Sequence, residues 1–194
     1  MGGVGIWCMH FIGNRAIVLA NGEVPLQIAY NVTFTAVSFI LPVLVILTAF
    51  YGINFDEKAG YFRIILAGFM TGASVCGMHY VGQLGIANYT CSYQPGHVVG
   101  AAIIAIFAST TALTVFFRWR ESWSDSWWRR GICAAFMAIA VSGMHWTAAA
   151  GTFYHKPRGD VSHRYGNRLS RGGIVTVCAV LVSCLPPFHF IFVY

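Results

Sequence analysis

Four stretches of this chain contain no Asp, Glu, Lys or Arg: residues 24–55, 64–117, 131–155 and 172–194. A helix needs about 20 mostly apolar residues to cross the hydrocarbon core of a bilayer, where each backbone N–H and C=O must find its partner inside the segment. The first, third and fourth stretches fit one crossing each. The second, 54 residues long, must hold two crossings and a turn. That turn falls between Gly82 and Gly96, where Asn88, Ser92, Gln94 and Pro95 interrupt the apolar pattern. Helices are therefore expected near 28–53, 61–81, 97–118, 131–151 and 173–193. Hydrophobic residues at 57% and charged residues at 9% agree with an all-α, polytopic transmembrane bundle. Residues 1–13 are apolar but only about half a spanning length. They lack the basic start of a signal peptide and are expected to be a partial helix, truncated at its beginning. The whole chain, 1–194, reads as one membrane domain without a soluble output domain.

Three of these segments end alike, in Met9-His10-Phe11, Met78-His79-Tyr80 and Met144-His145-Trp146. The intervals of 69 and 66 residues each hold two crossings, an internal two-helix repeat, so all three motifs should emerge on one side of the bilayer. Small residues flank each Met at four before (Gly5, Ser74, Ala140) and four after (Gly13, Gly82, Ala148). At helical spacing these lie on one face and let neighbouring helices approach closely. A thioether beside an imidazole is a soft-metal ligand pair, and intramembrane ionisable residues mark functional positions. Taken singly, each His reads as a packed or interface-solvated residue and each Met as core filler. Repetition favours ligation, because packing alone can use many residue types at three related places. Met9, His10, Met78, His79, Met144 and His145 are the candidate metal ligands, with Tyr80 and Thr147 as supporting groups that would hold the imidazoles. Reduced copper, Cu(I), suits this donor set.

Lys and Arg divide evenly between the two sides, Lys58, Arg63, Arg118, Arg120, Arg129 and Arg130 against Arg15, Lys156, Arg158, Arg164, Arg168 and Arg171. The compact clusters at helix ends favour a cytoplasmic loop over Arg118 to Arg130, with the motifs facing outward at a plasma or cytoplasmic membrane. The sequons at Asn31 and Asn88 would then lie outside. Trp119, Trp123, Trp127 and Trp128 interleave with arginines as an aromatic belt, and the net charge of +6 describes membrane flanks, not a nucleic-acid surface. Cys8, Cys76, Cys133, Cys178 and Cys184 fall in apolar helices and Cys91 in a loop, within reach of Cys8 or Cys76 for a disulfide. His97, His155 and His163 read as solvated loop residues, and the polar stretch 155–173 as mobile. No zinc pattern, phosphate-binding glycine loop or nucleophile elbow is present, so no enzymatic activity is expected.

At its three Met-His pairs the sequence resembles the MHYT domain, an integral membrane sensor family named for a repeated Met-His-Tyr-Thr motif. The motif reads Met-His-Phe-Ile, Met-His-Tyr-Val and Met-His-Trp-Thr here, so Tyr survives only as Tyr80 and Thr only as Thr147. The resemblance implies several membrane helices, a copper site near the outer face and sensing of a diatomic gas or redox state. It also implies an output through a cytoplasmic signalling partner. Two other classes use the same residues. A transporter could line a pathway with the histidines, aided by a kink at Pro186-Pro187 near His189, and a haem protein could use His and Met as axial ligands. Against a transporter, the repeats run in one direction and carry their His at one surface.

Overall fold

The computed structural model describes residues 2–23, 26–53, 60–123, 127–156 and 167–184. Six α-helices dominate these residues: α1 (Gly2–Asn14), α2 (Val32–Ile53), α3 (Tyr61–Leu84), α4 (Pro95–Trp123), α5 (Trp127–Ala150) and α6 (Arg171–Ser183). Among the described residues, four helices are long and apolar enough to cross a membrane, over Val32–Ile53, Tyr61–Leu84, Pro95–Phe117 and Gly131–Ala150. The protein is an all-α membrane bundle. Where a fifth crossing is expected near 173–193, the described residues hold a shorter apolar helix, Arg171–Ser183, and the segment with Pro186, Pro187 and His189 lies outside the described residues.

Helix ends follow local chemistry more than hydropathy. Asn31 caps α2, its side-chain oxygen accepting from the Phe34 N–H at 3.1 Å, which starts the helix at Val32 instead of near 28. Pro95 opens α4 at a first-turn position where its missing N–H costs nothing. Ser170 caps α6 through the Gly173 N–H at 3.0 Å. The Trp127, Trp128, Arg129 and Arg130 cluster, read from sequence as loop, is the first turn of α5.

The bundle is inside-out relative to a water-soluble one. Leu44, Leu47, Phe62, Phe69, Ile103, Phe107 and Ile139 point outward, as lipid requires, while small and polar residues fill the seams. In the α3–α4 seam a Cβ on Gly68 would fall 2.5 Å from the Thr110 Cα, and one on Gly72 would collide with the Ile106 backbone. Only glycine permits that approach, and Ala101, Ala105, Ala108 and Ala112 are buried along α4. The Trp7 indole of α1 donates to the Ser38 hydroxyl of α2 at 3.0 Å, near Pro42, which has no N–H for the Ser38 carbonyl.

One end of the bundle carries short antiparallel strand pairs. β1 (Tyr30–Asn31) pairs with β4 (Arg168–Leu169), and β2 (Thr90–Tyr93) pairs with β3 (Thr152–His155). In the second pair Thr90 faces His155 and Tyr93 faces Thr152. The ends of the stretch expected to be mobile are thus paired backbone, because once excluded from helices their N–H and C=O groups need partners beside the apolar bundle. Residues 157–166, including His163, lie outside the described residues.

Candidate metal centre

His10, His79 and His145 each lie within two turns of the C-terminal end of an odd-numbered helix, α1, α3 and α5, and so reach the same depth. All three are completely buried. Their ring centroids form a near-equilateral triangle of 4.8, 5.2 and 5.3 Å, with each pair of rings close to perpendicular. One ligand nitrogen from each ring can be chosen so that all three lie within 4.8 Å of one another. The Nδ1 atoms of His10 and His79 are 3.1 Å apart.

Glycines make this convergence possible. A Cβ on Gly82 would fall 2.5 Å from the His10 Nε2, and one on Gly13 would fall 2.6 Å from the His145 Nε2. Each glycine follows its own repeat's His by three residues and receives the ring of a different repeat. The ring of the first repeat thus packs against the second, and the ring of the third against the first.

The cluster leaves buried polar atoms without partners, which is costly in an apolar interior. They include His79 Nε2, both ring nitrogens of His145, Asn14 Oδ1, Gln83 Oε1 and the Tyr80 hydroxyl. Three neutral imidazoles offering spare lone pairs in one enclosed space are a fitting donor set for a metal ion. Nitrogens bound to one ion at about 2.0–2.1 Å lie roughly 3.3–3.6 Å apart, so a closure of about 1.2–1.5 Å from the widest separation of 4.8 Å suffices. The triad could hold a metal ion.

The methionines do not gather in the same way. Met78 is buried in an apolar cluster with Trp7, Cys8, Phe11, Ile174 and Cys178, whereas Met144 belongs to another with Val75, Cys76, Ala101, Ala105 and Ala148. Met9 lines an apolar groove of about 410 Å³ with Gly5, Ile6, Met137 and Val141. Neighbouring residues on a helix diverge by about 100°, so a face that aims the imidazoles at a common axis sends the thioethers into the seams beside it. The Tyr80 ring lies 5.0 Å from His79 and 5.1 Å from Tyr93, and the Thr147 methyl group packs toward Gly100.

The strand pairs at this end hold a second group of polar residues. Gln83 donates to the Tyr154 hydroxyl at 3.4 Å, and the Cys91 thiol to the Gln83 carbonyl at 3.9 Å. Burial pushes the Cys91 thiol up to about 11. Burial likewise pushes the Tyr154 phenol up to about 12, with the Gln83 hydrogen bond opposing and Cys91 adding to the rise. Both groups are neutral at physiological pH. The thiols of Cys8, Cys76, Cys91, Cys133, Cys178 and Cys184 are free, so the disulfide considered for Cys91 is absent.

Other expectations change at this end. Asn88 accepts from the Ala29 N–H at 3.0 Å and donates to the Gln27 carbonyl at 2.7 Å, while Asn31 is the cap of α2, so both sequon amides hold the backbone. His155 bonds the Ser92 hydroxyl at 2.9 Å, and the His97 ring packs against Gly151; neither belongs to the triad. Arg171, in the stretch expected to be mobile, donates to Gln27 Oε1 at 2.9 Å and to the Arg15 carbonyl, tying α6 to the end of α1. Its position at a capped helix start was the available signal. Asn14 and Gln83 were also missed, though each stands four residues after a motif His.

A family model, MHYT, described as a bacterial signalling protein N-terminal repeat, matches residues 3–67 and 72–127. The first two motifs fall inside those segments and the third lies beyond them. A signalling protein of Bacillus subtilis, YkoW, is 28% identical over 158 residues, covering 79% of this chain and 19% of that protein. The bifunctional diguanylate cyclase/cyclic di-GMP phosphodiesterase MucR of Pseudomonas aeruginosa is 27% identical over 180 residues, covering 92% of this chain and 25% of that protein. The chain thus spans about a quarter or less of the length of these relatives. No solved structure is matched.

Proposed function

The chain belongs to the MHYT family, and on that premise we propose that it is the membrane sensory domain of a signalling system and binds copper at His10, His79 and His145. One observation carries the reading: three completely buried imidazoles from three repeats converge with ring nitrogens left over. Buried nitrogens without partners cost about 1–3 kcal/mol each, a penalty that ligation removes. Imidazole is a suitable ligand for copper, and the thioethers of Met9, Met78 and Met144 leave the same helical turns but lie in the seams beside the triad. When bound, the metal supplies a position at which a diatomic gas, or a change of redox state, is registered.

The chain's own residues do the rest. Gly13 and Gly82 set how closely the rings approach, the apolar seams exclude water, and the strand pairs cover the site. An uncharged diatomic enters through apolar packing without a polar channel, and the groove beside Met9 is open to it. The three histidines belong to three helices, so a change in how they share a ligand alters helix packing, the differential interaction that a switch requires. We place the motif end outside and the domain's output in a cytoplasmic partner or attached domain. The chain itself, as a single membrane domain, is not an enzyme in this reading.

Copper stoichiometry, measured in detergent for the protein and for a His10, His79, His145 triple Ala variant, tests the proposal. One ion or more per chain in the protein and none in the variant is the expected result. Equal uptake by both ends the copper assignment, and an intense visible absorption band on purification would favour haem instead.

A further inference from the structure

We propose that Asn14 is a positioning residue which fixes the Nδ1 face of the histidine cluster as the metal-binding face, by accepting the Nε2 proton of His10. The inference rests on the metal-binding reading above. A neutral imidazole carries one N–H and one lone pair, so the nitrogen that meets an ion is decided by where the other nitrogen sends its proton.

Geometry divides the two nitrogens. Nδ1 of His10 faces Nδ1 of His79 at 3.1 Å, close to the spacing of two ligands on one ion. Nε2 of His10 points away, lying 3.3 Å from the Asn14 amide nitrogen and against the α3 backbone at Gly82, which leaves no room for an ion. Nε2 of His145 is closed off in the same way by Gly13.

Asn14 is 1% exposed and its Oδ1 has no partner. Without metal, the amide N–H donates to His10 Nε2, and the His10 Nδ1–H then donates to His79 Nδ1. With Nδ1 of His10 on a metal, Nε2 must carry the proton and find an acceptor. A half-turn of the Asn14 amide presents Oδ1 where Nδ2 stood, and the orphaned oxygen and the new N–H satisfy each other. Gln83 stands at the same place after His79 in sequence, and Gln83 Oε1 and His79 Nε2 are both buried and partnerless. The third repeat has Ala149 at this place, and neither ring nitrogen of its His145 has a partner.

The test loads full-length protein, ¹⁵N-labelled at histidine, with Cu(I) in detergent. Long-range ¹H–¹⁵N correlation spectra then identify the metal-bound nitrogen, and Cu(I) affinity is measured by competition with a chelator. The expected result is an Nδ1-bound, Nε2-protonated His10, affinity about 10–100-fold weaker in Asn14→Leu, which keeps volume but lacks an acceptor, and near-normal affinity in Asn14→Asp, which keeps the acceptor. Nε2 ligation by His10, unchanged affinity in Asn14→Leu, or an Asn14→Asp protein as weak as Asn14→Leu overturns the assignment. Should Asn14→Leu fail to fold, the spectrum of the unsubstituted protein decides alone. An unsubstituted protein that takes up no Cu(I) overturns the metal reading itself and this inference with it.

Discussion

The first two repeats and the third contribute the same residue to the centre but hold it differently. His10 is followed by Gly13 and Asn14, and His79 by Gly82 and Gln83, whereas His145 is followed by Ala148 and Ala149. The consequence is visible in the bonding. His10 and His79 face each other through Nδ1 and His10 touches an amide, while neither nitrogen of His145 has a partner. An approximately threefold triangle of rings is thus built as two fixed members and one loose one. A repeat supplies convergence, and divergence between repeats supplies a direction in which the cluster can open.

The largest expected effect breaks the difference at the glycines. Gly13→Ala and Gly82→Ala each push a methyl group into an imidazole and should destabilise the bundle by about 1–3 kcal/mol, as overpacking does. Gly143→Ala in α5, with nothing within 4 Å of the added carbon, should be neutral or stabilising by up to about 1 kcal/mol. Thermal unfolding in detergent measures both, and equal shifts would remove the glycine argument.

An effect of similar size separates the histidines themselves in metal-free protein. His10→Leu strands Asn14 and His79 and should cost about 1–3 kcal/mol. His145→Leu removes two nitrogens that bond nothing, and should leave apo stability unchanged or raised. Equal losses would mean that His145 is held as firmly as the others.

Supplying the missing amide sharpens the comparison from the other direction. Ala149→Asn gives the third repeat an acceptor four residues after its His, and Cu(I) affinity should rise by up to about tenfold, less than the range lost when such a partner is removed. A fall in affinity would show that the looseness of His145 is needed for binding.

The smallest effect concerns the strand pair over the second and third repeats. Cys91 rises from 9.0 to about 11 and Tyr154 from 10.0 to about 12, so the folded state holds both protons more tightly than the unfolded state. Their contribution to stability is complete below about pH 9 and is lost as pH rises through 11 to 12. A Cys91→Ser, Tyr154→Phe double variant should show a flatter stability profile across that window. An unchanged slope would place the alkaline sensitivity elsewhere.

Much of the fold was legible because the bilayer imposes simple rules. Charge-free runs of known minimum length located the helices to within a few residues, and the interval between motifs placed all three on one side. The misses are local or long-range. Asn31 and Asn88 satisfy the glycosylation pattern and also the older chemistry of caps and turns, and only their backbone contacts distinguish the two. The strands are two to four residues long and their partners lie 59 residues or more away, from Tyr93 paired with Thr152 to Tyr30 paired with Leu169, so no periodicity announces them. Within the site, the imidazoles could be nominated from repetition, but the separate settings of the methionines follow from helix rotation, which sequence leaves open.

By itself, the sequence determined that this chain crosses a membrane repeatedly and that three Met-His pairs end up at one depth. Both follow from quantities that are local to a segment: its length, its lack of charge and the fixed rise of a helix. Tertiary structure alone decided that histidine side chains and not methionines share the centre, that Nδ1 faces Nδ1, and that Asn14 and Gln83 stand behind the rings. Those outcomes depend on the rotation and spacing of helices far apart in the chain, set by where a backbone without a Cβ lets a neighbour come close.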